Sequence, residues 1–443
     1  MPRSSARLDR FVWIVLAAAL VLRVAVLVAF YIDGDPHGGD ASYYMLAARR
    51  PWRLWLPEET PGAFTSVGPV YPLFLLPFLS LIPDSAPVAQ MVAVRSGQVV
   101  LDTLTVVLVY LIARHLFGQR VARVALVAQA LDARYIFMLG SVATETLFIA
   151  LFAAFMLVYL RAAAQDGWGT YRLAGLILGV AVLTRPQPIL FPALLAIHAL
   201  LRPKERRRAL GGVAWLTGVM ILVITPWMVR TALISGELVP IANSAFSHIW
   251  RSSREDGREL TGRAFAQAKA ETLAYGEEDV HTEGGEYLSA GVENILSAPG
   301  QWMGRMAGDT LGAYLQPYGT VMLVPRSEVG ARQVLADFLR GRASARDVLA
   351  IPGLWRRLLM YVWHFWGLLG GLVGVVLAWR EHWRRIFPLA AWIVYATAVA
   401  APLLIEARYV FVAMFAFTIL AAYASVRLWD RLAPGLKARL KGA

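Results

Sequence analysis

"FVWIVLAAALVLRVAVLVAFYI" (Phe11–Ile32) runs for 22 residues with a single charge, Arg23, and is followed at once by "DGDPHGGDASYY" (Asp33–Tyr44). At 1.5 Å per residue, about 20 apolar residues cross the hydrocarbon core of a bilayer. The run is too long for the apolar region of a signal peptide, and no small-x-small cleavage site precedes Asp33. The stretch therefore reads as a membrane anchor that ends abruptly in acids and turn-formers. Arg23, in mid-span, is read as either a packing or a site residue.

The same ruler gives further spans near 88–113, 121–139, 143–161, 171–186, 188–202, 209–229, 358–379, 386–404 and 409–428. With the first, that makes ten. A further apolar run, 67–83, carries Pro69, Pro72, Pro77 and Pro83. Proline removes a donor and breaks helix interiors, so this run is expected to lie on the surface or re-enter. The composition agrees, since 58% of the 443 residues are hydrophobic against about 45–50% in soluble domains. The expected fold class is an all-α polytopic membrane protein.

The net charge is +13. In a nucleic-acid binder the cations would gather in patches with stacking aromatics. Here they stand in short clusters between apolar runs: Arg3, Arg7 and Arg10; Arg114, Arg120 and Arg123; Arg161 and Arg172; "RPKERRR" (202–208); "WREHWRR" (379–385); and Arg427 to Lys441. If the helices alternate, all six fall on one side. The positive-inside rule then places both termini in the cytoplasm of an inner-membrane protein and excludes a nucleic-acid partner. The absence of cysteine excludes a disulfide framework, a thiolate metal site and a cysteine nucleophile. The expected organisation is an N-terminal membrane module (1–230) with a first outer loop (33–87), an extracytoplasmic segment (231–357), and C-terminal spans with a cytoplasmic tail (358–443). The middle segment reads as helical over 262–275, 286–297 and 301–315.

Ionisable residues at membrane depth are costly and usually mark a site or a partner pair. On the outer side these are Asp33, Asp35, Asp40, Asp132, Arg134, Glu145, Arg185, Arg230, Glu406 and Arg408. They come from nearly every outward turn. Arginine presents a planar fork that suits phosphate. Arg185 and Arg230, and similarly Arg408, are therefore candidates for a lipid-borne phosphate; snorkelling to headgroups, or for Arg408 a pair with Glu406, is the plainer alternative. Asp40 opens "DASYYMLAAR" and is either a helix N-cap or a general base, because partial desolvation raises carboxylate basicity. Asp33 and Asp35 read as turn-formers and His37 as a solvated loop residue. Asp40, Glu145 and His37 could also hold a divalent metal ion. No Walker loop or dinucleotide fingerprint is present, which argues against ATP-driven transport and leaves a lipid-linked sugar as the donor for an outer-face enzyme.

These residues resemble the GT-C glycosyltransferases. "GGDASYYMLAAR" (38–49) is similar to their acidic first-loop motif and "LGSVATETLFIALFAAF" (139–155) to their Thr-Glu start of a helix. "AGLILGVAVLTRPQPILFP" (174–192) and "ITPWMVRTALISGELVPIANS" (224–244) resemble the dolichyl-phosphate-mannose-dependent mannosyltransferases. "APGQWMGRM" (298–306) and "EARYVF" (406–411) extend the likeness. Lipid A aminoarabinose transferases resemble it more distantly. The resemblance implies an inverting transferase using a polyprenyl-phosphate sugar and an extracytoplasmic acceptor among the membrane lipids, envelope glycans or proteins. It implies Asp40, as base or acceptor-orienting group, and Glu145 as catalytic carboxylates, with Arg185 and Arg230 at the donor phosphate; Arg408 is expected beside them from its own position, and Tyr43 and Tyr44 are expected to line the substrate. The rival expectation is a transporter or flippase of a lipid-linked or small anionic substrate, which would show inverted repeats and broken helices at the midplane.

Overall fold

The structure is a computed structural model that describes residues 9–37, 40–51, 68–165, 167–202, 205–235, 241, 244–253, 284–320, 331–403 and 405–441. Among the described residues there is helix and no strand. α1 is Arg10–Phe30, begun by Asp9, whose carboxylate accepts from the Val12 amide at 3.0 Å. The chain after α1 carries a short α2 (Ala41–Arg49) and then α3 (Val70–Leu81). The proline-rich run, expected to lie on the surface or re-enter, holds a helix of 12 residues, too short to span, in which Pro77 removes one backbone donor. α4 (Pro87–Phe117) is 31 residues long, opens on proline and stops at Gly118, whose φ of 88° suits glycine.

The apolar run expected as one span over 121–139 is two helices, α5 (Gln119–Ala130) and α6 (Ala133–Met138). Asp132 divides them, its side chain capping α6 by accepting from the Arg134 amide at 3.0 Å. α7 (Glu145–Gln165), α8 (Trp168–Thr184), α9 (Phe191–Leu200) and α10 (Arg206–Ser235) follow. The described part of the segment after α10 holds α11 (Ser244–Ser253), α12 (Gly284–Ser297), α13 (Pro299–Leu315), α14 (Ala331–Leu339) and α15 (Ala345–Leu349). The helix expected at 262–275 lies outside the described residues. α16 (Leu354–Ala400) joins two expected spans through a kink at His382, where φ is −140°. The tenth span is divided into α17 (Ala407–Phe411) and α18 (Met414–Lys441).

Among the described residues five helices, counting α16 once, are long and apolar enough to cross a membrane. Their outward faces carry exposed Trp13, Val21, Leu222 and Val376, as lipid-facing surfaces do. Inside, helices meet at small residues, which let backbones approach closely. A Cβ on Gly374 of α16 would lie 2.1 Å from the Leu420 carbonyl of α18, and one on Gly175 of α8 would lie 2.3 Å from the Leu216 carbonyl of α10.

Buried charges tie the first helices together. Arg23 of α1 donates from Nε to Asp102 Oδ2 of α4 at 2.6 Å and from Nη1 to the Ala130 carbonyl at 2.9 Å. It is therefore a packing residue that caps the interrupted end of α5. Asp132 and Arg134, expected on the outer face, pair with each other at 2.5 Å inside the bundle, beside His364.

The two ends of the bundle differ. At one, Arg123 pairs with Asp9, Arg120 with Asp430, and Arg427 with Glu381, so basic segments of α1, the α4–α5 turn, the α16 kink and α18 gather there. The opposite end holds the turn after α1, the start of α7, the end of α8 and α17.

Candidate functional site

The first loop is built on α4. Arg95, fully buried, donates to the carbonyls of Tyr31, Asp35 and Gly140 and to the Asp33 carboxylate at 2.9 Å. One turn on, Gln98 donates to the carbonyls of Leu139 and Ser141. The Val142 amide reaches the Pro36 carbonyl at 2.8 Å, and the Ser141 hydroxyl the His37 carbonyl at 2.8 Å. One polar stripe of α4 thus holds the approach to Asp40 against the approach to Glu145. Asp33 and Asp35 are turn-formers, as expected: their carboxylates accept from the amides of Asp35 and His37. Burial pushes the Asp33 carboxyl up, but hydrogen bonds from His37 and Arg95 outweigh it and hold it below its ordinary value. His37, expected to be merely solvated, is braced by Asp33 at 2.9 Å and Asp35 at 3.4 Å, with φ at 48°.

Asp40 stands at the N-terminus of α2 but makes no side-chain cap. Its carboxylate accepts instead from Arg408 Nη1 at 2.8 Å. Arg408 also lies 3.0 Å from Glu406 through Nε. A second pair sits beside the first: Arg185, at the end of α8, meets Glu145 Oε1 at 2.6 Å and donates to the Thr144 hydroxyl at 3.1 Å. Glu145 is buried at the first turn of α7, where the helix dipole favours an anion. The Tyr409 ring joins the two pairs, with the Arg185 guanidinium 5.6 Å and the Arg408 guanidinium 5.1 Å from its centroid. Tyr318, from the turn after α13, donates to Glu145 at 3.5 Å, and His248 of α11 stands 3.5 Å from the Tyr409 hydroxyl.

Four of the residues singled out in the sequence, Asp40, Glu145, Arg185 and Arg408, are therefore brought together from four separate segments. Tyr44 belongs with them: it packs edge-on to Tyr71 at 5.0 Å, and burial, reinforced by the charges of Asp40 and Glu145, pushes its hydroxyl pKa up. Tyr43 is half-buried one position away, about 100° round the helix. Among the described residues, Arg230 is not one of those that bridge Asp40, Glu145, Arg185 and Arg408. It is buried on α10 with its guanidinium 4.7 Å over the Trp227 ring.

Among the described residues no group of three or more His, Asp or Glu side chains is arranged to hold a metal ion. Asp40 and Glu145 are engaged by arginines and His37 by its own turn, so the three do not form a donor set. Arg95, Tyr318, Tyr409 and His248 were not foreseen. Arg95 had a signal: with Gln98, Asp102 and Thr105 it forms a polar face at helical spacing inside an apolar run.

Against known folds, the chain aligns over 98% of its length with the archaeal oligosaccharyltransferase AglB from Archaeoglobus fulgidus, described in complex with an inhibitory peptide and a dolichol-phosphate, at 15% identity and a TM-score of 0.53. The fold is GT-C. Crystals of the Archaeoglobus fulgidus enzyme in its complex with Zn and sulfate give a TM-score of 0.54 at 16% identity. ArnT from Cupriavidus metallidurans bound to undecaprenyl phosphate aligns over 96% of this chain and 80% of its own, at 17% identity and a TM-score of 0.41. This GT-C chain spans about half the length of the oligosaccharyltransferase it matches, 52%. Residues 66–229 match the family model for dolichyl-phosphate-mannose-protein mannosyltransferase. That region contains α3 to α9 and most of α10, with Glu145 and Arg185. No curated protein matches the chain.

Proposed function

We propose that the chain is an inverting membrane glycosyltransferase that moves a sugar from a polyprenyl-phosphate donor to an extracytoplasmic acceptor. The observation that carries this reading is the convergence of Asp40, Glu145, Arg185 and Arg408 at the end of the bundle opposite the basic segments. Such a place lets a lipid-borne donor meet a water-borne acceptor.

The chemistry divides between the two charges. Asp40, half-exposed beside Arg408, takes the proton from the acceptor hydroxyl as that oxygen attacks the anomeric carbon. The bond from that carbon to the phosphate oxygen breaks, and its electron pair leaves with the phosphate. Arg185 and Arg408, flanking one tyrosine ring, stabilise the departing charge; each guanidinium carries five N–H donors, and the carboxylate pairs use only part of them. Glu145 holds Arg185 in place and, through Tyr318, ties the outer segment to the site. Arg230 is assigned to the lipid-proximal side of the same donor, and Tyr43 and Tyr44 to the sugar.

The interrupted α5–α6 is a feature that a transporter would share. Yet Arg23, Asp102, Asp132 and Arg134 are each buried to within 2% there, so the break is packed shut rather than lining a path. The test is transfer from a radiolabelled polyprenyl-phosphate sugar by the purified chain in lipid nanodiscs, with Asp40→Asn in parallel. Transfer by the native chain and its loss in the variant support the reading. Labelled lipid that crosses vesicle bilayers without any transfer would establish the transporter instead.

A further inference from the structure

The hairpin formed by α14 and α15 is compactly folded. α14 is followed by a turn at Gly341, whose φ is 72°, with the amides of Arg342 and Ala343 closing on the Asp337 carbonyl. Ser344 and Asp347 form a reciprocal capping box at the start of α15. Despite this order, the hairpin turns its largest apolar residues outward. Leu339 is 85% exposed and Leu349 75%, and Leu335 and Phe338 share the exposed face with Leu339. The spacing of Leu335, Phe338 and Leu339 is that of one helix face.

Two observations identify what covers this face. The first is position. Only four residues separate Leu349 from Leu354, where α16 begins. The start of α16 touches the end of α1: Trp355 lies 6.2 Å from Phe30, and Arg356 lies over the same ring. The hairpin therefore stands at the membrane boundary on the same end as the candidate site. Its apolar face runs in sequence into the lipid-facing side of α16, with Trp355, Leu358 and Val362 all exposed. The second is charge. Arg340, Arg342 and Arg346 are exposed beside those leucines, and residues 331–349 hold four arginines against two aspartates. Asp347 is engaged in its cap.

We infer that the α14–α15 hairpin is an interfacial foot, set with its leucines among the acyl chains and its arginines on anionic phospholipid headgroups of the outer leaflet. Short apolar faces of this kind settle about 5–10 Å into the headgroup boundary. The arginines make the seating depend on lipid charge. Each is worth about fivefold in occupancy near an anionic surface, so three together shift the docked fraction by on the order of a hundredfold.

The experiment uses the full chain, which has no cysteine of its own. Leu339→Cys is labelled with an environment-sensitive NBD dye and reconstituted into nanodiscs of phosphatidylcholine alone or with phosphatidylglycerol. Shallow doxyl-labelled lipid should quench the dye strongly in the anionic discs and weakly in the neutral ones. The added substitutions Arg340→Gln, Arg342→Gln and Arg346→Gln should remove the difference while the melting temperature holds. Absence of quenching in both discs overturns the proposal and points to a protein partner on this face. Quenching that is equal in both discs, or unchanged by the three glutamines, overturns the anionic-headgroup assignment. No outcome depends on sugar transfer, so the proposal stands or falls apart from the enzyme reading.

Discussion

Asp40 and Arg408 are 368 residues apart in sequence and 2.8 Å apart in the structure. The contact closes the start of α2 onto the last third of the chain. It also distinguishes two roles for Asp40, because an N-cap would have turned its carboxylate onto its own helix.

Asp40→Asn keeps the shape and can still accept from Arg408, so the variant should fold. An amide cannot take a proton, and the single-turnover rate of sugar transfer should fall by on the order of a hundredfold or more. Near-native turnover in a variant with an unchanged melting curve would remove Asp40 from the reaction.

Arg→Lys substitutions rank the three phosphate candidates. Lysine keeps the charge but loses the fork. At Arg185 and Arg408 the KM for the lipid donor should rise about tenfold or more, the cost of about one charge-assisted hydrogen bond. At Arg230, which stacks on Trp227, the rise should be smaller. Equal effects at all three positions would mean that the Glu145–Arg185 and Asp40–Arg408 pairs have no special part in donor binding.

Arg95→Met removes the group on which the first loop is folded while filling much of its volume. It should lower kcat far more than donor affinity, since Arg95 touches Asp33 and backbone rather than the cluster itself. A variant that loses donor binding and keeps kcat would contradict this positioning role.

These predictions show unequal legibility in the sequence. Asp40, Glu145, Arg185 and Arg408 were visible because each is a charge next to an apolar run, and such charges are rare for a strong energetic reason. Their pairing was not visible, because Arg408 reaches both Asp40 and Glu406 and no local pattern chooses between them. The division of residues 121–139 was hidden for a related reason. The helix ends there without a proline or glycine, and its free carbonyls are satisfied by Arg23 from a distant helix. In α3 the prolines did not prevent a short helix, since a helix packed among others survives the loss of a donor.

His248 gives the site a pH signature. Desolvation lowers its pKa from 6.5 to about 4, and Arg251 and Arg408 reinforce this while Asp40 opposes it. A depressed folded-state value means that the unfolded chain binds the proton more readily. The stability from His248 is therefore complete above pH 6.5 and is lost as the pH falls towards 4. His248→Gln should flatten that part of the profile of melting temperature against pH. An unchanged slope between pH 6.5 and 4 would assign the acid sensitivity elsewhere.

Sidedness can be tested with single cysteines. Ser297 on α12 and Arg207 on α10 are both exposed and lie on opposite sides of the expected topology. In intact cells an impermeant maleimide should label Ser297→Cys and spare Arg207→Cys. Equal labelling of both would refute the placement of the basic segments in the cytoplasm.

Arg23 has a consequence for how the protein is made. An arginine at the centre of a membrane helix costs about 2.5–3.5 kcal/mol on insertion scales, and α1 offers it only the Ala19 carbonyl of its own turn. Its carboxylate partner, Asp102, is synthesised 79 residues later, and the Ala130 carbonyl 107 residues later. A nascent chain that has reached α3 but not α4 thus holds an unmatched cation in the bilayer. Its release from the translocation machinery becomes more favourable once α4 and α5 have arrived beside it. The buried Arg23–Asp102 pair thus favours joint integration of residues 10–130 over a succession of independent insertions.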